Sequence, residues 1–210
     1  MPVKTQIPYD HGHYFISFTC HKWLPLFELV KGYDLVYTWF DVLKQHGHLV
    51  TGFVIMPNHI HVMIAFRKTA KCINKIVGDG KRFIAYAIIQ RLKEKGAVKL
   101  LRELEKAVCY SDQKRGKRHE IWEDSFDWKE CRNRSFTSQK LNYIHNNPCT
   151  GKWMLAENPA DYIHSSARYY ITGEHGIYPV LNFLELEDID LSIPICGESL
   201  PNTLPGKRLA

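Results

Sequence analysis

Hydrophobic and polar residues alternate in three stretches of the first third of the chain. Residues 13–19 alternate and are rich in aromatic and β-branched side chains, which predicts a strand. Residues 49–56 and 59–65 predict two further strands, and the pair Pro57-Asn58 between them predicts a hairpin turn. Between the first and second strands, residues 31–45 carry apolar side chains at a helical period, which predicts a helix.

The rest of the pattern adds helices and a fourth strand. The predicted elements are a helix at 74–95, a helical piece at 98–108, a strand at 120–127 and a short helix at 138–146 that Pro148 stops. In the longest helix, Gly78 and Gly80 indicate a break or a close approach of another element. The order β-α-β-β-α-β predicts a ferredoxin-like split fold of the α+β class, followed by a C-terminal extension. Such a fold has an antiparallel sheet with helices on one face and the other face free for a ligand.

His59 and His61 stand two residues apart in the third predicted strand. Successive side chains of a strand point to opposite faces, so both imidazoles leave the same face about 7 Å apart. Ile60 and Val62 then point the other way and can be buried. Because two convergent neutral imidazoles are good ligands for a divalent metal ion, this pair predicts a metal site.

Two other histidine pairs have the same spacing, but each straddles a glycine. A glycine in this position removes the strand regularity that would aim the two rings together. We expect solvated turn residues in both cases, since one glycine begins a strand and the other follows a helix end. The pairs are His11/His13 and His46/His48.

Tyr143 and Asn147 are four residues apart in the helix before Pro148 and therefore share a helical face. A tyrosine hydroxyl can attack phosphorus and form a covalent phosphotyrosine. An amide can add a third ligand to a metal ion held by the histidine pair. Such an ion would favour the phenolate of a tyrosine, whose ordinary pKa is about 10. On spacing alone, a half-buried core tyrosine and a helix-ending asparagine are equally open interpretations.

The composition is that of a globular protein, with 45% hydrophobic and 12% aromatic residues among 210. None of the six cysteines forms a Cys-x-x-Cys pair, which argues against a zinc knuckle. Without an export signal, scattered cysteines indicate reduced thiols in the cytoplasm. No apolar run approaches the length of a membrane span. We therefore expect a cytoplasmic protein that contacts no membrane.

The net charge of +6 is unevenly distributed. Residues 67–118 contain 16 lysines and arginines against 5 acidic residues, whereas residues 181–200 contain five acidic residues and no lysine or arginine. This segregation predicts a basic surface for a polyanion beside an acidic tail, with a solvated helix face as the alternative. The candidate phosphate contacts are Lys75, Lys81, Arg82, Arg91, Lys114, Arg115, Lys117 and Arg118.

The charge pattern also predicts a division of the chain. We expect one main domain at residues 1–173 and an acidic C-terminal tail at residues 174–210. A weaker hypothesis is that residues 181–200 fold over the basic surface and compete with its polyanion. For the aromatic residues Tyr162, Tyr169 and Tyr170, stacking on unpaired bases and burial against the sheet both remain open.

Two motifs together resemble those of the REP-associated tyrosine transposases, which are relatives of the single-tyrosine insertion-sequence transposases in the HUH nuclease superfamily. The motifs are Met56-Pro-Asn-His-Ile-His-Val62 and Tyr143-Ile-His-Asn-Asn-Pro148. The resemblance runs from about residue 13 to about residue 170 and includes Leu24-Pro-Leu-Phe27 and Ser165-Ser166. Both motifs in this order, with a basic helix between them, are far more specific than either alone.

The resemblance implies a ferredoxin-like fold, a Mg²⁺ or Mn²⁺ cofactor, and cleavage and transfer of single-stranded DNA at hairpins. The enzyme would keep a 5′-phosphotyrosine and release a 3′-hydroxyl, so strands can be rejoined without ATP. Carried over, His59 and His61 become metal ligands, Tyr143 the nucleophile and Asn147 the third ligand. The insertion-sequence relatives more often have Gln at the third position, and Asn is shorter by one methylene. His145 faces away from Tyr143 and receives no role.

Other functions and assemblies remain open at this point. A catalytically inactive DNA- or RNA-binding module of the same fold is the main alternative, since an open sheet also serves RNA. The presence of both histidines and Tyr143 argues against a module that only binds. A metallohydrolase of small substrates would be expected to have carboxylate ligands, which the motifs lack. Among the resembling proteins, some exchange the tyrosine helix between two subunits and others act singly, so a monomer and a homodimer are both compatible.

Overall fold

A four-stranded antiparallel sheet forms the centre of the molecule in a computed structural model that describes residues 6–123 and 126–194. The strand order is β2-β3-β1-β4, which places β3 between two neighbours. The strands are β1 (Gly12–Thr19), β2 (Leu49–Met56), β3 (His59–Phe66) and β4 (Asp127–Glu130). This α+β arrangement confirms the predicted fold class.

Helices connect and flank the strands. Five α-helices of the described residues precede β4 in the chain, and two follow it. Their bounds are α1 (Leu26–Val30), α2 (Tyr33–Gln45), α3 (Ile73–Glu94), α4 (Val98–Lys106), α5 (Tyr110–Lys114), α6 (Arg134–Asn146) and α7 (Ala167–Thr172). The two long helices predicted between the strands are therefore present as α2 and α3.

The main hydrophobic core lies between the sheet and the helices α2 and α3. Tyr14 and Ile16 of β1 and Ile60 and Val62 of β3 are completely buried on this face. Burying one such side chain contributes roughly 1.5–3 kcal/mol. The alternation read from the sequence therefore assigns these strand faces correctly.

The tightest helix contact in this core is made by a glycine. A Cβ atom added to Gly80 of α3 would lie 2.2 Å from Trp39 Nε1 of α2, so only glycine permits this approach. Nothing lies within 4 Å of a Cβ added to Gly78. The helix α3 runs unbroken through both glycines, so the close approach predicted here exists and the break does not.

The second face of the sheet is partly covered by α6, whereas the sequence analysis expected it to be free. Leu141 and Ile144 of α6 form a second hydrophobic cluster with Phe15, Val54 and Met63. The helix has to bury this apolar stripe, and β2 accommodates it because Gly52 has no side chain. A Cβ there would lie 2.5 Å from Leu141 Cδ1.

Two predicted boundaries are displaced. The fourth strand begins at Asp127, seven residues after the predicted start, and pairs with residues 14–17 of β1. Trp122 makes only an isolated bridge to Cys20, and its Nε1 donates a hydrogen bond to Lys81 O at 2.9 Å, so this stretch is anchored as a loop. Residues 124–125 of the predicted strand lie outside the described residues.

The helix carrying Tyr143 begins four residues before its predicted start at Ser138. Asn133 caps its N-terminus, since Oδ1 accepts a hydrogen bond from Phe136 N at 2.9 Å. The predicted start is late because the apolar stripe of this helix begins only one turn after the cap.

The chain after α6 returns along the free edge of β2. Ile55 N donates to His164 O, Ser166 N donates to Phe53 O, and Leu181 N donates to Val50 O, each within 3.0 Å. These contacts cover an edge that would otherwise expose unpaired backbone groups. Residues 174–194 of the predicted acidic tail therefore include backbone pairing with the sheet.

Candidate metal and nucleophile site

His59 and His61 lie side by side on the central strand, facing α6. They are 6% and 7% exposed, and their ring centroids are 4.7 Å apart. Burial lowers the pKa of His59 to about 4 and the pKa of His61 well below its usual range. Both rings are therefore neutral near pH 7, which leaves one nitrogen lone pair on each ring available to a metal ion.

A buried neighbour orients the first of these rings. Asn58 Oδ1 lies 2.7 Å from His59 Nδ1 and accepts its proton. In that tautomer His59 Nε2 carries a lone pair, and it lies 3.2 Å from Asn147 Oδ1. An amide oxygen and a lone-pair nitrogen are both acceptors, so this arrangement suits a shared cation.

His61 supplies a second indication of a metal ligand. Its Nδ1 is buried with no hydrogen-bond partner in the described part of the chain, and Phe15 stacks on the ring at a centroid distance of 5.5 Å. An unsatisfied buried polar atom costs about 1–3 kcal/mol. The two imidazoles and the Asn147 amide oxygen fit a divalent cation such as Mn²⁺ that accepts both nitrogen and oxygen ligands.

The candidate third donor is the Asn147 amide, and in the described residues acidic side chains do not converge beside the two histidines. Across residues 6–123 and 126–194, no group of three His, Cys, Asp or Glu side chains is arranged to hold a metal ion. Asn147 follows α6 in a short 3₁₀ turn and keeps right-handed helical backbone angles, φ −55° and ψ −43°. The amide therefore stays on the same helical face as Tyr143, as the four-residue spacing predicts.

Tyr143 lies next to the histidines and remains accessible. Its side chain is 51% exposed, and its ring centroid is 5.2 Å from that of His61 and 6.2 Å from that of Phe15. Tyr143 is therefore an exposed residue rather than a core residue, and its role as the nucleophile stays a prediction. Tyr143, Asn147 and both histidines come from segments more than 80 residues apart and meet in one place.

Lys140 is a neighbour of this site that the sequence analysis missed. Its Nζ lies 5.7 Å from the Tyr143 ring centroid and 5.1 Å from that of Phe15. Within the described residues no acidic side chain pairs with it. The available signal was its position on the same helix, three residues before Tyr143.

Three other histidines make structural hydrogen bonds. His145 Nε2 lies 2.9 Å from Ser166 Oγ, which also accepts a hydrogen bond from Phe53 N, so it anchors α6 to the returning chain. This agrees with its expected orientation away from Tyr143. His48 is buried rather than solvated, and its Nδ1 accepts a hydrogen bond from Arg67 N. His13 Nε2 contacts Thr51 Oγ1 at 2.8 Å.

The other members of those two pairs lie at the surface, as expected for turn residues. His46 Nδ1 lies 2.8 Å from Val42 O, and His11 Nδ1 lies 2.7 Å from Asp10 Oδ1. Burial lowers the pKa values of His13 and His48 to about 4. The pairs His11/His13 and His46/His48 therefore have the spacing of His59 and His61, but the two rings of each pair have separate partners.

The predicted phosphate contacts on α3 lie on the sheet face opposite the histidines. Lys75 and Arg82 both contact Asp79, at 3.7 and 2.7 Å. Arg91 donates two hydrogen bonds to the Asp34 carboxylate and one to Lys31 O. Lys81 Nζ lies over the rings of Phe18 and Trp122.

The predicted phosphate contacts after α4 are exposed, and two of them are ion-paired. Arg115 and Lys117 contact Asp112, and Lys117 also contacts Glu120. Lys114 Nζ lies 4.7 Å from the centre of the Tyr110 ring. Arg118 is exposed at the end of this stretch.

Two acids of the predicted tail have partners other than the predicted phosphate contacts. Glu187 pairs with Arg134 at the start of α6, and Asp190 Oδ1 accepts hydrogen bonds from Ser192. The ion pairs of the predicted phosphate contacts are instead with Asp34, Asp79, Asp112 and Glu120. Residues 195–210, including Glu198, lie outside the described residues.

The aromatic residues of the returning chain are packed against the sheet. Tyr162 OH donates to Ile55 O at 2.8 Å, and Tyr170 OH donates to Thr51 O at 2.7 Å. Tyr169 stacks on His175. Of the two interpretations left open for these tyrosines, the structure supports packing.

The cysteines at positions 20, 72, 109, 131 and 149 are free thiols, and Cys196 lies outside the described residues. Among the helices of the described residues, none combines the length and the hydropathy needed to cross a membrane.

Comparison with known proteins identifies similar folds. No protein-family model matches the sequence, and no curated protein matches it. Among solved structures, a REP-associated tyrosine transposase bound to a REP hairpin matches with a TM-score of 0.58 and 16% identity, over 85% of this chain and 89% of that one. A candidate transposase from Deinococcus radiodurans R1 matches with a TM-score of 0.39 and 16% identity, over 69% and 97%. The first of these matches shows that the chain has the fold of a REP-associated tyrosine transposase, as the resemblance of its two motifs implies.

Proposed function

We propose that the protein is a metal-dependent endonuclease and strand transferase, a transposase, that acts on single-stranded DNA at hairpins. The observation that carries this proposal is that four residues meet where the C-terminal end of α6 faces β3. They are His59, His61, Asn147 and Tyr143. The shared fold with a transposase solved on a REP hairpin supports the same class of substrate.

The chemistry proposed for Tyr143 is an in-line displacement at phosphorus. The phenolic oxygen forms a bond to phosphorus and loses its proton to solvent, while the bond from phosphorus to the 3′ oxygen breaks and that oxygen takes up a proton. The products are a 5′-phosphotyrosine and a 3′-hydroxyl. Because the phosphodiester energy is retained, a second 3′-hydroxyl can reverse the step and join a new strand.

The proposed cation ligands are His59, His61 and Asn147, with Mg²⁺ or Mn²⁺ as the ion. When bound there, such an ion would polarise the scissile phosphate and favour an ionised nucleophile. Asn58 keeps the proton of His59 on Nδ1 and so presents Nε2. Lys140, next to the Tyr143 ring, adds a positive charge that attracts the phosphate to the phenol.

The site is proposed to be complete within one chain. Tyr143 contacts His61 of the same polypeptide, and α6 is anchored by Leu141 and by the contact of His145 with Ser166. These contacts favour a monomer over a dimer that exchanges its tyrosine helix. The basic residues of α3 and of the segment 114–118 are proposed to contact the hairpin away from the cleaved phosphate.

A covalent adduct tests the proposal. The full chain is incubated with Mn²⁺ and a pool of DNA hairpins with randomised single-stranded flanks, labelled at the 3′ end or the 5′ end, and analysed on denaturing gels. We expect the 3′ label to migrate with the protein and the 5′ label to be released. Mass spectrometry should place the nucleotide on Tyr143.

Matched variants make the experiment specific. Tyr143→Phe should abolish the adduct. His61→Ala should remove most of the adduct, and the remaining adduct should no longer depend on Mn²⁺. Tyr110→Phe is the control, since Tyr110 is 72% exposed on a different helix. An adduct that persists in Tyr143→Phe, or that carries the 5′ label, would contradict the proposal. Tight RNA binding with no DNA adduct would favour the RNA-binding alternative.

A further inference from the structure

Trp23 is an exposed tryptophan beside the candidate metal ligands. Its side chain is 56% exposed, and its ring centroid lies 5.7 Å from that of His59 in an edge-to-face arrangement. A large aromatic side chain gains little stability when more than half of it remains in water. Packing alone therefore does not explain why a tryptophan stands at this position.

The backbone that presents Trp23 is held in a conformation that side chains disfavour. Lys22 has φ 50° and Trp23 has φ 58°, so two consecutive residues with Cβ atoms occupy the left-handed region. Lys22 N donates a hydrogen bond to Glu123 Oε1 at 2.5 Å, and Trp23 N donates to Cys20 O at 2.9 Å. Strained segments retained in this way are concentrated at ligand-binding and active sites.

One buried side chain fixes Trp23 relative to the metal site. Asn58 is fully buried, and its Nδ2 donates to Trp23 O at 3.1 Å while its Oδ1 accepts the His59 Nδ1 proton at 2.7 Å. The two ends of a single amide thus hold the backbone carbonyl of Trp23 and the imidazole of His59 in a fixed relationship. The backbone that carries the exposed ring is therefore tied to the candidate site, and the ring itself lies against His59.

Two lysines and one acidic residue line a cavity next to Trp23 in the chain. Lys22 precedes Trp23 and lines a cavity of about 280 Å³ together with Lys106 and Glu103. Lysine side chains beside an aromatic platform are the combination by which proteins follow a single strand, with cations on the phosphates and an aromatic face on the bases.

We propose that Trp23 stacks on a nucleobase that flanks the scissile phosphate and thereby positions the single strand for Tyr143. This inference rests on the proposed function and adds a positioning residue to it. The occupant is an unpaired base because paired bases already stack on one another. Since every base has a π-face, the contact fixes position without reading sequence.

Photo-crosslinking tests the contact without requiring cleavage. A DNA hairpin with a single-stranded thymine tail on each side, in which one thymine at a time is replaced by 5-iodouracil, is irradiated with the full-length Tyr143→Phe protein. We expect a crosslink from one tail position that mass spectrometry locates on Trp23. Trp23→Ala should remove it, whereas Tyr86→Ala, which changes an aromatic residue 67% exposed on α3, should not.

Cleavage kinetics provide the second measurement. On a hairpin captured by the wild-type protein, an abasic site next to the cut should slow adduct formation roughly 10-fold. With Trp23→Ala, adduct formation on intact DNA should be slower by a similar factor, and the abasic site should cause no further slowing. With Trp23→Phe, adduct formation should be partly retained, and so should its sensitivity to the abasic site. Crosslinks confined to other residues, or an equal abasic penalty with and without Trp23, would overturn the inference. Because crosslinking uses Tyr143→Phe, its failure is distinguishable from absence of the nuclease activity.

Discussion

At the scale of single residues, the site depends on amides as much as on histidines. Asn147 presents an oxygen to His59 Nε2, and Asn58 holds the proton on the opposite ring nitrogen. Such supporting hydrogen bonds fix the tautomer and the orientation of a ligating ring. The turn and the two histidines of this motif are therefore linked: the turn residue Asn58 determines which ring nitrogen of His59 carries the proton.

Replacing Asn58 by alanine should weaken Mn²⁺ binding about 10- to 100-fold, because His59 loses the acceptor that fixes its tautomer. Isothermal titration calorimetry on the folded variant measures this change. Asn146→Ala is the matched control, since that amide is exposed and donates only to Asn142 O.

Asn58→Asp separates the two tasks of this side chain. It keeps an acceptor for His59 and loses the donor to Trp23 O, so Mn²⁺ affinity should remain closer to that of the wild type. Unchanged Mn²⁺ affinity in a folded Asn58→Ala protein would show that Asn58 does not support a metal ligand.

At the scale of elements, glycines decide how closely helices approach their neighbours. Gly52 of β2 leaves room for Leu141 of α6, and Gly80 of α3 leaves room for Trp39 of α2. The first contact sets the depth of the helix that carries Tyr143. The second joins the two long helices on the opposite face of the sheet.

Gly80→Ala and Gly78→Ala should change stability in opposite directions, although both lie in α3. The new methyl group at position 80 meets the Trp39 indole, so overpacking should lower the free energy of unfolding by about 1–3 kcal/mol. At position 78 the methyl group meets open space, and the better helix propensity of alanine should raise the free energy of unfolding by about 1 kcal/mol. Urea unfolding measures both values, and equal effects of the two substitutions would contradict the close contact.

At the scale of the whole molecule, charge is more locally balanced than its distribution along the chain suggests. Arg91, Arg115 and Lys117 each have carboxylate partners, whereas Lys114 and Arg118 are exposed at the end of the basic stretch. A cation that already has a partner gains less from a DNA phosphate. The effective basic surface is therefore smaller than the count of lysines and arginines implies.

Hairpin binding should weaken steeply as the salt concentration rises. Lys114→Ala and Arg118→Ala should each reduce the steepness of the plot of log K against log salt concentration by about 1. Fluorescence anisotropy over a range of NaCl concentrations measures the slope. Arg91→Ala is the control with the smaller expected change, because Asp34 already holds that guanidinium. A slope that neither Lys114→Ala nor Arg118→Ala alters would place the phosphate contacts elsewhere.

Local periodicity allowed much of the molecule to be predicted. The two-residue period of β3 places His59 and His61 on one face, and the four-residue spacing on α6 does the same for Tyr143 and Asn147. These relations need no information from distant parts of the chain. The start of β4 was less accessible because Trp122 is held by a distant carbonyl, that of Lys81, rather than by a strand pattern.

The sequence by itself determined the first three strands, the long helices, the fold class and the two motifs, because each depends on residues a few positions apart. Only the tertiary structure decided that α6 covers the histidine face, that Asn147 reaches His59, and that Lys140 and Trp23 border the same site. It also decided which cations are neutralised, as in the pairing of Arg91 with Asp34. These relations join residues far apart in the chain, and they arise from the packing of whole elements, which no local spacing encodes.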